Sequence, residues 1–185
     1  MVFEIPEIVR NDVKIMDMNL LCKKESLDII KKLGKIKVNN KIVKYELICG
    51  IDYRFLTIEI ANALKKSRFK KIRIAWDWGM QQQYDIKKSI KILEKAGYKS
   101  TDLMIFMICN WSIPFKINLR KLDLCKVWNV KACDCYYDNQ VYPNVIPIYW
   151  TEKQCKTFRS KVRKHNQLVL FGIDPELNRE RRKGE

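Results

Sequence analysis

Two hydrophobic rhythms alternate along this chain. Short, nearly unbroken apolar runs give way to stretches whose apolar residues return at helical spacing. The runs DVKIMD (12–17), VKYELIC (43–49), KKIRIAWD (70–77), DLMIFMIC (102–109) and VKACDCYY (130–137) predict strands. They recur about every 30 residues, the length of one strand–helix unit. Between them KESLDIIKKLG predicts a helix with Leu27, Ile30 and Leu33 on one face and Gly34 as its stop. TIEIANALKKS starts at Thr57, a good N-cap, and buries Ile60, Ala61 and Leu64. DIKKSIKILEKAG sets Ile86, Ile90 and Leu93 at helical spacing and ends at Gly97. IPFKINLRKLDLCKVW offers Leu119 and Leu122, and TEKQCKTFRSKVRKHN starts at Thr151 and offers Cys155, Phe158 and Val162.

This alternation predicts an α/β fold of repeated strand–helix units, with about five parallel strands and right-handed crossovers. Strands apolar on both faces fit a sheet covered by helices. No linker interrupts the pattern, so residues 1–175 read as one domain and residues 176–185, ending RERRKGE, as a frayed charged tail.

In parallel α/β folds the working residues gather at the C-terminal ends of strands. There this chain carries Asp17 and Asn19, then Asp52, Arg54 and Thr57, then Trp76, Asp77 and Trp78, then Asn110 and Ser112, and finally Cys133, Asp134 and Cys135. Each carboxylate alone fits a helix cap, and Thr57 a plain N-cap. Arg54, at the mouth of a strand, calls for a partner: an internal carboxylate such as Asp52 or Asp77, or an anionic ligand. Trp76 and Trp78 flank Asp77 at the end of the third strand. Either both fill packing gaps, or one stacks on a planar ligand.

Charge changes the picture in one respect. With 37 basic and 21 acidic residues the net charge is +16, a field that attracts polyanions such as nucleic acid. The basic residues are mostly Lys spread over every helix, whereas a dedicated nucleic-acid surface more often clusters Arg with aromatics. There is no apolar run of about 18 residues and no signal-peptide pattern, which predicts a cytoplasmic protein with no membrane partner. The seven cysteines, an odd number without a secretory signal, argue against a disulfide framework and for buried free thiols. Cys133 and Cys135 share one strand face, so they could grip a soft metal, with Cys109 as a third ligand. His165 is the only histidine, which makes a Ser–His–Asp hydrolase or a His-rich zinc site improbable; its place in a basic run suggests a surface or capping role. No P-loop and no Gly-x-Gly-x-x-Gly occurs.

The segments IMDMNLL, GIDYRFLT, IRIAWD and KAGYKSTDLMIFMICN, in this order, and FRSKVRKHNQLVLFGIDPE after them, resemble the later strands and C-terminal region of small radical SAM proteins. In those, one strand ends in Asp-x-Asn, the next carries Gly-x-Asp-x-Arg, and the following ends in Ala-Trp-Asp. The resemblance spans roughly residues 12–175. It implies an incomplete (β/α) barrel. It also implies a [4Fe–4S] cluster on a Cys-x-x-x-Cys-x-x-Cys loop, with S-adenosylmethionine (SAM) bound to the open iron and cleaved to a 5′-deoxyadenosyl radical. By motif, Asp17 and Asn19 would line the cofactor–substrate cavity. Asp52 and Arg54 would lie by the SAM ribose or methionyl carboxylate, and Asp77 and Asn110 by the ribose and adenine.

No Cys-x-x-x-Cys-x-x-Cys is present. The resemblance therefore implies that the chain starts at the family's third strand. It predicts no cluster and no SAM cleavage on this chain alone, and assigns no catalytic residue. It further implies an exposed edge on the 12–17 strand, open to a separately encoded N-terminal radical SAM segment or to self-association. Two alternatives remain: a basic α/β nucleic-acid-binding module, and a degenerate scaffold without a ligand.

Overall fold

A computed structural model of the protein describes residues 5–136 and 150–172. It is mixed α/β, with five α-helices and short parallel strands among the described residues, and no closed barrel. The chain folds as two compact units: one takes the residues up to Ala75 together with Asp85–Leu103, the other Trp76–Tyr84 and the residues from Met104 onward.

In the first unit β1 (Asp12–Ile15) pairs in parallel with β4 (Lys44–Leu47), in the register Val13 to Tyr45 and Ile15 to Leu47. Single parallel bridges, Tyr45 to Phe69 and Ile51 to Ile74, carry the pairing on toward β5 (Arg73–Ala75). The crossovers are α1 (Ser26–Leu33) and α2 (Ile58–Lys66), and α3 (Gln83–Lys95) follows β5. Thr57 caps α2 as its sequence predicts: its side chain accepts from the Ile60 N–H at 3.2 Å. Ile86, Ile90 and Leu93 are buried on α3. On α1 the buried face is Ser26, Ile29, Ile30 and Leu33, one step round from the expected Leu27 face. Tyr45 stacks on Phe69 with ring centroids 5.1 Å apart, and its hydroxyl donates to the Leu33 carbonyl at 2.8 Å, so a buried phenol is satisfied by the end of a helix.

The pattern of apolar runs misses one element, an antiparallel hairpin of β2 (Lys37–Val38) and β3 (Lys41–Ile42). Its turn is Asn39–Asn40 with φ of 50° and 60°, the left-handed pair a two-residue hairpin turn requires and Asn tolerates. Asn11 ties the hairpin to the start of β1, donating to the carbonyls of Val38 and Lys41 at 3.2 Å each.

In the second unit β6 (Met104–Cys109) and β7 (Lys131–Tyr136) pair in parallel, with Phe106 opposite Cys133 and Ile108 opposite Cys135. Two helices pack on them, α4 (Phe115–Val127) and α5 (Glu152–Phe171). Helix α5 begins in a full capping box, Thr151 with Gln154, and ends at Gly172, whose φ of 64° makes the left-handed stop. It also treats the edge of β7 as a partner strand would. Asn166 accepts from the Ala132 N–H at 2.9 Å and donates to the Ala132 carbonyl at 2.7 Å, which blunts an edge otherwise open to association. Among the described residues no helix is long and apolar enough to cross a membrane.

Candidate functional site

The C-terminal ends of β1 and β4 lie side by side because the strands are parallel and in register, and each exit is built from a short polar turn. After β1, the Asp17 carboxylate accepts from the Asn19 backbone N–H at 3.0 Å and pairs with Lys23. After β4, the chain turns at Gly50, where φ is 84° and an added Cβ would meet the Arg73 carbonyl at 3.3 Å, so glycine fits both the torsion and the space. Asp52 then caps the turn Tyr53–Phe55, accepting from the Arg54 N–H at 3.0 Å. The Arg54 guanidinium folds back on the same carboxylate, with Nε 2.9 Å from Oδ1 and Nη2 2.6 Å from Oδ2. Those bonds, outweighing the opposing effect of burial, hold Asp52 below the usual carboxylate range and therefore ionised.

Asn19 joins the two exits, its Nδ2 donating to Asp52 Oδ2 at 3.3 Å. Its Oδ1 is buried and has no hydrogen-bond partner. Four of the sequence-predicted residues, Asp17, Asn19, Asp52 and Arg54, thus form one hydrogen-bonded cluster with a spare acceptor at its centre. A buried amide oxygen left unmet costs about 1–3 kcal/mol, the magnitude a ligand donor would recover.

Asp77 and Asn110 belong to the second unit. Asn110 directly follows β6, nearly buried, at a φ of 50°. Asp77 follows Trp76, whose N–H donates to the Phe106 carbonyl at 2.8 Å. Trp76 is wholly buried and stacks on Trp128 at 5.7 Å, with its Nε1 donating to the Gly79 carbonyl at 3.0 Å, so it fills a packing gap; the exposed indole is Trp78.

Beside Trp76 lies a residue that helical periodicity conceals. Lys121 is completely buried on α4, donating to the Trp76 carbonyl at 2.8 Å with its ammonium 5.2 Å from the Trp76 ring. The buried stripe of α4 is Asn118, Lys121, Leu122 and Cys125, half of it polar, and the expected Leu119 is only half-buried. Burial pushes the Lys121 amine down to about 8, against the opposing pull of Asp77. The folded value lies below the unfolded one, so between them the unfolded chain holds a proton that the folded chain lacks, and this group makes folding more favourable as pH rises from about 8. At 1.36 kcal/mol per pH unit, wild type should gain about 1 kcal/mol relative to Lys121→Met between about pH 7 and pH 9 in paired urea titrations. A pH-independent difference would show that the amine is not depressed.

His165 lies mid-helix on α5 and is buried, not at the surface: its Nε2 meets the Val130 carbonyl at 2.7 Å, and burial lowers its basicity. Of the cysteines weighed as metal ligands, Cys133 and Cys135 alternate on one face of β7. Cys109 occupies the opposite face of β6, where Asn118 donates to its sulfur at 3.4 Å. Among the described residues no group of three or more His, Cys, Asp or Glu is arranged to hold a metal ion. No protein-family model matches the chain, and a search of the curated proteins returns no match.

Proposed function

We propose that this chain is the pocket-forming portion of a radical SAM-type protein, an incomplete (β/α) barrel whose strand exits hold SAM and substrate. The observation that carries the reading is the Asn19–Asp52–Arg54 cluster at adjacent parallel strand ends, in which Asn19 Oδ1 is buried without a hydrogen-bond partner. That arrangement suits a ligand rich in hydroxyl and ammonium donors. A ribose diol or an α-amino group would donate to Asn19 Oδ1 and to the ionised Asp52, while Asp17, locked to Lys23, keeps the Asn19 backbone in place.

The residues present do not fit a [4Fe–4S] cluster. The sequence has no Cys-x-x-x-Cys-x-x-Cys, and the described cysteines form no three-ligand group. Cluster chemistry would need ligands from polypeptide outside these residues, and this chain would contribute binding and orientation only. The half-buried Val13 and Ile15 of β1, paired among the described residues with β4 alone, suit the addition of a further strand supplied by a separately encoded segment or by a second copy.

Calorimetric titration of the protein with SAM tests the reading. Saturable binding is expected, weakened about tenfold by Asn19→Ala, the equivalent of one hydrogen bond in a polar site. Absence of SAM binding, or binding indifferent to Asn19, would overturn it. A second reading, a basic nucleic-acid-binding module, is favoured by a groove of about 420 Å³ between α1 and α2 that is lined by Lys31, Lys35 and Lys66 and by Glu59, which pairs with Lys31 at 3.7 Å. Nucleic-acid binding that falls steeply with salt, without any response to SAM, would select it.

A further inference from the structure

Cys133 and Cys135 belong to the second unit, where, like Cys155 on α5, they are half-buried. Cys109 and Cys125 are fully buried. On β7, by contrast, the two faces are used differently. Asp134 and Tyr136 face α5: Arg159 Nε is 3.6 Å from the Asp134 carboxylate and lies over the Tyr136 ring, and the Tyr136 hydroxyl donates to the Cys155 carbonyl at 3.0 Å. Alternation sends Cys133 and Cys135 to the other face, level with Phe106 and Ile108 of β6, and all four side chains there are half-buried rather than sealed. Cys133, together with burial, pushes the Cys135 thiol well above its ordinary range.

Strand geometry decides what such a pair can do. Residues two apart on a strand are separated by about 6.6 Å with parallel Cα–Cβ bonds. A disulfide prefers a Cα separation of about 5.5–6 Å and Cβ atoms about 3.8 Å apart, so direct oxidation would have to distort β7. An ion placed between the sulfurs needs no such approach, because each thiolate reaches inward from its own side. Soft thiolate pairs select soft cations, and the apolar neighbours Phe106 and Ile108 offer no hard oxygen ligand.

We propose that Cys133 and Cys135 form a two-thiolate site for a soft, thiophilic cation of the Cu(I) class. Binding forms two sulfur–metal bonds and releases the two thiol protons, with no change of oxidation state.

The test is anaerobic titration of the whole chain with Cu(I) against a chromophoric Cu(I) chelator. One Cu(I) per chain should be withheld from the chelator by wild type and by the Cys22→Ser and Cys109→Ser variants, and released by Cys133→Ser and by Cys135→Ser. Should either serine variant fail to fold, copper X-ray absorption of the wild-type complex takes its place. Two sulfur neighbours support the site, and a different sulfur count overturns it. Retention of Cu(I) by a folded Cys133→Ser/Cys135→Ser double variant also overturns it, as does a wild type that binds none. SAM titration does not involve these thiols, so the two proposals fail separately.

Discussion

Replacing Phe158 by alanine should destabilise the protein by about 3–5 kcal/mol, the range for emptying a fully buried aromatic site. Phe158 is 0% exposed on α5 and meets two other rings edge to face, Trp150 at 5.2 Å and Phe115 at 6.4 Å. Phe115 and Trp150 are perpendicular at 5.1 Å, so the three rings brace one another. The cluster cannot easily close over a cavity, because Trp150 is pinned from its other side by its Nε1, which donates to the Ile113 carbonyl at 2.7 Å. Such pinning favours the upper part of the range. Phe158→Leu, which keeps most of the volume, should cost much less. Urea unfolding checks both: the midpoint should fall with an unchanged slope. Equal losses for Leu and Ala would show that ring geometry, not volume, sets the cost.

Glu46→Ala should cost a comparable amount, about 3–5 kcal/mol, for an electrostatic reason. Glu46 is 5% exposed on β4 and pairs with Arg73 of β5, and Lys71 lies 3.6 Å from its other oxygen. Arg73 also donates to the Leu47 carbonyl at 3.0 Å, which fixes the guanidinium against the strand. Deleting the carboxylate leaves that largely buried cation without its counter-charge, and the penalty is desolvation no longer offset rather than the worth of one ion pair. Burial pulls the Glu46 carboxyl upward, but Arg73 and Lys71 outweigh it and hold the group below its ordinary value. The stability it contributes is therefore complete above the unfolded carboxyl range and is lost as pH falls through the folded value. Wild type and Glu46→Ala should accordingly converge in stability in acid. Parallel urea curves from neutral to acidic pH read this directly, and a constant gap would refute the linkage.

Much of the fold was legible because some signals are local. The transfer preference of each side chain is written at its own position, so alternating rhythms locate strands and helices before any contact is known. Ile86, Ile90 and Leu93 face inward as their spacing requires, and Thr57 and the Thr151–Gln154 box cap the helices they precede. The Asn39–Asn40 hairpin is also local, and its signal is a two-residue left-handed turn rather than an apolar run. The strand-end polar residues could be named in the same way, since the rule that places them needs only strand direction.

Other assignments depend on partners distant in the chain. Whether Cys109 shares a face with Cys133 is set by the register of β6 on β7, and a sheet face is defined only once two strands pair. Lys121 and His165 look like solvent-facing positions in basic stretches, yet both are buried because backbone carbonyls 45 and 35 residues away, those of Trp76 and Val130, receive them. Asn19 joining Asp52 across 33 residues has the same origin. The alternation of strands and helices, their caps, and the identity of the strand-end polar residues are encoded by residues close together in the chain. Which of those residues meet, and which buried polar groups find partners, is settled only when distant strands and helices pack, because a hydrogen bond or a shared face belongs to a pair and neither member alone encodes it.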